Sequence, residues 1–150
     1  MPADDVTRFL SAYAASLTAF EAERSAALWG TPGTMVSDAF VGTLSSRAEM
    51  AAGLQQSYPL YQALGLAAVR FEVEEEVALT DALVRVRVRW LFDDADGAVM
   101  TDSTYEYLLR RDADGLHAYV AVDIDAQEKL AELARRQGID LEGPTPGSDA

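Results

Sequence analysis

The chain has 150 residues, of which 49% are hydrophobic, and this is the usual size of a single domain that can bury its own core. It contains no cysteine and one histidine, so disulfides and thiolate metal sites are excluded, a histidine-based zinc site is disfavoured, and we expect no cofactor. The formal net charge of -13 repels phosphate backbones and anionic lipids, which argues against nucleic acid or a membrane surface as a partner.

The start of the chain and its hydropathy predict a cytoplasmic protein. No apolar stretch reaches the roughly 20 residues that a membrane-spanning helix needs. Residues 1–5 also lack the basic start and the apolar run of a signal peptide.

The first element is predicted to be one long amphipathic helix over residues 4–28. Its apolar residues recur at steps of three or four, and Asp4 or Asp5 can cap its first turn. Three residues are expected to end it: Gly30, Pro32 and Gly33. A short extended piece over residues 35–41 follows.

A second helix begins at a capping-box spacing, in which Ser46 and Glu49 satisfy free amides of the first turn. It is expected to run to about Ser57, after which Pro59 either kinks it or starts a separate turn. Gly65 then closes this segment.

After Gly65 the spacing of apolar residues changes from that of a helix to that of a strand. Residues 69–79 and 83–92 should form a hairpin, and Asp-Gly turns lead to strands at about 103–110 and 116–124. These four strands predict an antiparallel meander. A polar amphipathic helix over residues 126–137 should end at Gly138. We expect a single domain of residues 1–140 and a disordered tail of residues 141–150, which is rich in Pro, Gly and acid.

The two faces of the predicted hairpin differ in polarity. In its second strand the core side carries Val84, Val86, Val88 and Trp90, and the other side carries Arg85, Arg87 and Arg89. In its first strand the apolar side carries Val69, Phe71, Val73, Val77 and Leu79, and the polar side carries Arg70, Glu72, Glu74 and Glu76. The arginines therefore face glutamates, either in a solvated ladder of charges or in a subunit interface.

Glu75 breaks this alternation, because a strict period of two places its carboxylate on the apolar face. Burying it there without a partner would cost several kcal/mol or force its protonation. A β-bulge within residues 74–76 would return it to solvent. Both a pocket-facing Glu75 and a bulge stay open.

The last two predicted strands carry alternating aromatic and apolar side chains. Tyr105, Tyr107 and Leu109 share a face, where the phenols either line a pocket or belong to the core. The apolar set of the fourth strand is Leu116, Ala118, Val120, Val122 and Ile124. His117, Tyr119 and Asp123 then face outward, and a shift of one residue would reverse this assignment.

Four stretches carry a resemblance to a known family: the aromatic-rich first helix through Tyr13, residues 35–42, residues 46–49 and the Asp-Gly turn of residues 112–115. Their order and spacing, over about residues 4–125, resemble the NTF2-like superfamily with its SnoaL-like and ketosteroid isomerase-like branches. The resemblance implies an α+β cone, in which helices close over a curved antiparallel sheet and leave an apolar pocket open at one end. It also implies a homodimer packed through the sheets.

The isomerase branch uses a tyrosine of the first helix as oxyanion donor and an aspartate near the second helix as proton shuttle, and Tyr13 and Asp38 occupy similar places. Its third strand has an acidic residue that donates to the oxyanion. Tyr107 stands at that position here, and a phenol can also donate a hydrogen bond to developing negative charge. The resemblance therefore implies Asp38, Tyr13 and Tyr107 as catalytic residues, whereas the histidines of the dehydratase branch are missing.

Three functions are compatible with these observations. The first is a binding module for a small, mostly apolar molecule, with a pocket lined by Phe20, Val86, Val88, Trp90, Tyr105 and Tyr107. The second is a proton-transfer isomerase or lyase with Asp38 as base, or Glu75 in its place if that side chain lines the pocket. The third is a dimerisation domain whose cone is filled by side chains, and the fold alone does not choose among the three.

Overall fold

The computed structural model describes residues 2–139, with side chains from Asp5 onward. The elements follow in the order α1 (Pro2–Thr18), α2 (Ala22–Ala27), β1 (Trp29–Val36), β2 (Val41–Leu44), α3 (Arg47–Gln55), α4 (Tyr58–Leu64), β3 (Ala68–Ala78), β4 (Leu83–Asp93), β5 (Val99–Asp112), β6 (Gly115–Asp123) and α5 (Ala126–Gln137). The predicted tail lies outside the described residues, and the single-domain boundary at residue 140 stays a prediction. Within residues 2–139, no helix is both long and apolar enough to cross a membrane.

The six strands form one curved, unclosed sheet in the order β2-β1-β6-β5-β4-β3. Its larger part is the predicted meander, in which β3 to β6 pair antiparallel with their neighbours in sequence. The first two strands extend it, because β1 pairs in parallel with β6 and β2 pairs antiparallel with β1. The predicted α+β fold, with helices packed on a curved sheet, is confirmed.

The predicted single helix over residues 4–28 is wrong, since the chain turns between α1 and α2. Phe20 adopts a φ of 55°, a left-handed conformation that costs a non-glycine residue about 1–2 kcal/mol. The N–H of Phe20 donates to the carbonyl of Leu17 at 3.2 Å and that of Glu21 to the carbonyl of Ser16 at 2.9 Å. This pair of bonds is a Schellman motif, which closes α1 and directs the Phe20 ring toward Tyr58, with ring centroids 5.1 Å apart.

The residues predicted to end the first helix instead belong to β1. Gly30, Pro32 and Gly33 lie within this strand, which pairs with β6. A β-carbon at Gly30 would lie 2.2 Å from the ring of Tyr119, so glycine leaves the space in which this ring packs against β1. The predicted extended piece over residues 35–41 is in fact the end of β1 and the turn into β2.

The second helical segment forms as predicted. Ser46 Oγ accepts a hydrogen bond from the N–H of Glu49 at 3.1 Å, and the Glu49 carboxylate accepts one from the N–H of Ser45 at 2.7 Å. Pro59 lies in the first turn of the separate helix α4, which ends at Gly65 with a φ of 96°. The helix α3 contacts β1 and β2, and α4 brings Tyr61 onto the ring of Phe92 in β4.

A β-bulge in β3 reverses the predicted orientation of its second half. Val73 pairs with Val88 and Glu75 pairs with Arg87, so Glu74 is the extra residue between two consecutive partners. As a result Glu75 lies on the arginine face, whereas Val77 is paired with Arg85 rather than placed in the apolar set. The bulge, and not a pocket-facing Glu75, is the arrangement that the register supports.

A second shift reverses part of β6. Leu108 pairs with Val120 and Leu109 with Ala118, which leaves Tyr119 as the extra residue. Leu116 and Ala118 keep the predicted inward orientation and His117 the predicted outward one, but the prediction for residues 120–123 is wrong. Val120 and Val122 turn to the outer face of the sheet, and Ala121 and Asp123 turn inward.

The inner face of β4 forms the core as predicted. Val84, Val86, Val88 and Trp90 are each at most 2% exposed and belong to the main hydrophobic cluster. The buried face of α1 completes this cluster with Val6, Phe9, Leu10 and Tyr13. Val84, Val86 and Val88 are packed entirely within this cluster.

The outer face of β3 to β5 carries a ladder of ion pairs. Arg85 contacts Glu75 at 3.0 Å and Glu106 at 2.6 Å, and Arg89 contacts Asp102 at 2.6 Å. The side chains of both arginines stay more than a third exposed, so the ladder is solvated in a single copy of the chain. A subunit interface on this face stays a prediction.

Candidate functional site

One cavity of about 280 Å³ lies between the inner face of the sheet and the helices. We call this space the main cavity. Its wall is built mainly by Tyr13, Leu17, Phe20, Trp29, Met35, Leu54, Tyr58, Tyr61, Trp90, Phe92, Ser103, Tyr105, Tyr107, Ala121, Asp123 and Gln127. The volume is just below the range of about 300–1,000 Å³ that is usual for ligand pockets, so the space suits a small molecule.

Aromatic rings form most of this wall and hold one another in place. Tyr61 stacks on Phe92 with ring centroids 5.7 Å apart, and Tyr105 stacks on Tyr107 at the same distance. Trp90 lies edge-on to Tyr107 at 6.3 Å. Such contacts fix the shape of the cavity, because each ring has few rotamers that keep its neighbours in contact.

Two tyrosine hydroxyls are positioned by indole donors. The hydroxyl of Tyr13 accepts a hydrogen bond from Trp29 Nε1–H at 2.9 Å, and that of Tyr107 accepts one from Trp90 Nε1–H at 2.8 Å. Burial raises the pKa of Tyr13 to about 12 and raises the pKa of Tyr107 well above its ordinary value. Both phenols therefore keep their protons near neutral pH and can donate them to a bound oxygen.

Asp38 does not join these two tyrosines. It is exposed in the turn between β1 and β2, and it is not part of the wall of the main cavity. It lines instead an adjoining space of about 140 Å³, the acidic pocket, together with Ser37, Asp123, Ile124, Asp125, Gln127 and Glu128. The three residues implied as catalytic thus do not converge on one cavity.

Asp123 is the carboxylate that the sequence analysis missed. The shift at Tyr119 turns it inward, where it lies opposite Tyr105 and lines both the main cavity and the acidic pocket. One of its oxygens accepts a hydrogen bond from the N–H of Ala126 at 2.7 Å. Burial raises the pKa of Asp123, and the negative charges of Asp125 and Asp38 act in the same direction.

The residues predicted to bind a ligand divide into two groups. Phe20, Trp90 and Tyr105 lie in the wall of the main cavity. Val86 and Val88 are fully buried in the packed core, and Glu75 lies on the outer face beside Arg85, so these three do not line the cavity. The alternation of β4 identified its core face correctly but could not show which part of that face stays uncovered.

A separate polar cluster surrounds the turn between β5 and β6. Asp112 accepts hydrogen bonds from the hydroxyl of Tyr119 at 2.6 Å and from the ring of His117 at 2.8 Å, and it contacts Arg110 at 2.9 Å. Asp112, Asp114 and His117 are close enough together to share a metal ion. Because Asp112 is already engaged by three side chains, one of them a cation, we assign no metal to this cluster.

The comparisons with known proteins agree on the fold. The family described as NTF2-like protein (DUF6841) matches residues 4–124. An NTF2-like protein of unknown function from Shewanella oneidensis MR-1 is similar to this chain, with 16% identity, a TM-score of 0.68 and coverage of 83% of this chain and 100% of that one. No curated protein sequence matched.

Two further solved structures are similar at the same 16% identity. A ketosteroid isomerase-like protein from Erwinia carotovora atroseptica SCRI1043 has a TM-score of 0.58 and coverage of 81% of this chain and 93% of that one. A protein from Catenulispora acidiphila in complex with S-DNPA has a TM-score of 0.62 and coverage of 85% and 96%. At this identity the likeness concerns the fold, and the chemistry has to be argued from the residues of this chain.

Proposed function

We propose that this chain, which belongs to the NTF2-like family DUF6841, binds a small, mostly apolar molecule in the main cavity. The observation that carries the proposal is an open space of about 280 Å³ whose wall is largely aromatic. A dimerisation domain with a filled cone would not leave such a space. The complex of the similar Catenulispora acidiphila protein with S-DNPA makes ligand binding a reasonable function for this fold.

The two tryptophans of the chain supply a direct test, because Trp29 and Trp90 are its only ones and both line the main cavity. Titration with 1-octanol, a neutral probe that does not absorb where tryptophan does, should change the emission in a saturable way. It should also raise the melting temperature, since a ligand that binds only the folded state stabilises it.

A cavity-filling variant provides the matched control. Ala121 is 4% exposed and lines the main cavity, whereas Ala52 is exposed on α3. We expect Ala121→Leu to weaken octanol binding at least about tenfold by occupying the space, and Ala52→Leu to leave it unchanged. Saturable binding that persists unchanged in a folded Ala121→Leu variant, or no binding by the unaltered chain, would refute the proposal.

A second candidate is a proton-transfer isomerase or lyase, and one observation favours it. A carboxyl group with a raised pKa, Asp123, lines the same cavity as the proton-bearing phenols of Tyr13 and Tyr107. An acid or base beside hydrogen-bond donors is the arrangement that enolisation requires. In this version of the proposal Asp123 replaces Asp38 as the base.

Deuterium exchange at the α-carbons of cyclohexanone in D₂O, followed by proton NMR, tests this second candidate. Asp123→Asn should abolish protein-dependent exchange, whereas Asp38→Asn should retain most of the exchange rate of the unaltered protein. Exchange that is absent in the unaltered protein, or that survives Asp123→Asn, would leave binding alone as the proposed function.

A further inference from the structure

The charges around the main cavity are all of one sign. The acidic pocket carries the carboxylates of Asp38, Asp123, Asp125 and Glu128, and it shares Ser37, Asp123 and Gln127 with the main cavity. In the part of the chain that the structure describes, no lysine, arginine or histidine lines either space. Any charged group of a ligand held there therefore meets carboxylates and no protein cation.

These carboxylates lack the ion-pair partners found elsewhere in the chain. Among residues 5–139, none of the four has a cationic side chain within 4.0 Å, whereas the acids of the outer face are paired with arginines. Asp123 and Asp125 accept backbone hydrogen bonds, from Ala126 and Thr104 respectively, at 2.7 Å each. The nearby Lys129 is engaged by Asp102 at 3.1 Å.

An unpartnered polar atom inside the wall is independent evidence for a ligand. Ser103 is 3% exposed, lies opposite Trp90 in the sheet, and its Oγ has no hydrogen-bond partner among residues 5–139. A buried hydroxyl is normally paired with protein or water, so this hydroxyl is available to bond to a molecule held in the cavity. Aromatic faces nearby, those of Trp90 and the Tyr61 and Phe92 stack, also attract cations.

We infer that the ligand is a small apolar molecule that bears a protonated amine, with its apolar part in the main cavity and its ammonium group against Asp123 and Asp38. This inference rests on the proposed function, because it assigns the chemical class of the molecule bound in the same cavity. The overall charge of -13 acts in the same sense, since it raises the local concentration of cations and repels anions.

Three probes that differ only in the head group test the inference: octylammonium, 1-octanol and octanoate. We expect octylammonium to bind at least about tenfold more tightly than octanol, and octanoate to bind most weakly. Because the ion pairs are at the edge of the cavity, added 0.5 M NaCl should narrow the difference between octylammonium and octanol. Tryptophan emission and isothermal titration calorimetry both report the affinities.

Two double variants distinguish the effect of the carboxylates at the site from the effect of the overall negative charge. Asp38→Asn with Asp123→Asn should reduce the affinity for octylammonium to that for octanol. Asp81→Asn with Asp96→Asn removes two exposed acids from turns outside both spaces, and it should leave the preference unchanged. Both variants carry the same net charge.

The outcomes distinguish this inference from the proposed function. If octanol binds as tightly as octylammonium, or if the preference for octylammonium survives the loss of the Asp38 and Asp123 carboxylates, the inference is wrong. The proposed binding of an apolar molecule in the main cavity is then unaffected. Binding of octylammonium that persists in Ala121→Leu would indicate adsorption to the acidic surface and would also overturn the inference. If neither probe binds to the cavity, the proposed function itself fails.

Discussion

Removal of the Tyr107 hydroxyl tests whether this group acts as a structural acceptor. In Tyr107→Phe, the indole N–H of Trp90 loses the hydroxyl that it reaches at 2.8 Å. Trp90 is 2% exposed and Tyr107 is 6% exposed, so both groups are shielded from bulk solvent. The variant therefore leaves one buried donor without a partner and changes no other polar group.

The expected loss follows from that single orphaned donor. A buried donor without a partner costs about 1–3 kcal/mol in the free energy of unfolding. With an unfolding entropy of about 2.1 cal/mol/K per residue, a chain of 150 residues should lose about 3–10 °C in melting temperature. Urea unfolding followed by far-ultraviolet circular dichroism measures the free energy, provided that the slope of the transition is unchanged.

Tyr105→Phe is the matched control. Tyr105 lies two residues away on the same face of β5 and stacks on Tyr107 at 5.7 Å, but its hydroxyl has no hydrogen bond within residues 5–139. Its removal should be neutral or slightly stabilising, because no buried group loses a partner. Equal losses for the two variants would show that the Trp90–Tyr107 hydrogen bond does not contribute to stability.

Two further predictions concern Asp123 and the outer face. Burial raises the pKa of Asp123 above its ordinary value of 3.8, so the folded chain binds the proton of this carboxyl group more tightly than the unfolded chain does. Asp123 therefore destabilises the folded chain as the pH rises above about 4. Asp123→Asn should therefore raise the melting temperature at pH 7 and have a vanishing effect near pH 3, and a difference independent of pH would contradict this reasoning. We also propose a homodimer through the outer face of the sheet, where Val41 is 69% exposed. Sedimentation equilibrium should then show two copies for the chain and one for Val41→Glu. Ala52→Glu, at an exposed position of α3 outside the sheet, should stay dimeric, and a monomeric starting protein would exclude the dimer.

Several elements could be predicted because their signals are local in sequence. The capping box of Ser46 and Glu49 placed the start of α3, and the apolar spacing together with Gly138 placed α5 at residues 126–137. The alternation from Val84 to Trp90 identified the core face of β4, since each side chain there needs only a regular strand to reach its position. Asp-Gly turns likewise placed the last two connections of the meander.

The positions that could not be predicted depend on partners distant in sequence. Residues 4–28 contain no glycine or proline that would end a helix, yet Phe20 adopts a left-handed conformation in which its ring packs on Tyr58 of another helix. The pairing of β1 with β6 joins strands that are far apart along the chain, and no local residue preference indicates it. Tertiary packing outweighed local propensity at both places.

The sequence by itself determined the α+β class, the meander, the apolar face of β4 and the presence of Tyr13, Trp90 and Tyr107 in the interior. Only the tertiary structure decided which carboxylate faces the cavity. A side chain in a strand alternates with a period of two, so the bulge at Glu74 moved Glu75 outward, and the extra residue Tyr119 moved Asp123 inward. Whether a strand accommodates an extra residue depends on the hydrogen bonds of its neighbour, and that information is absent from the strand's own sequence.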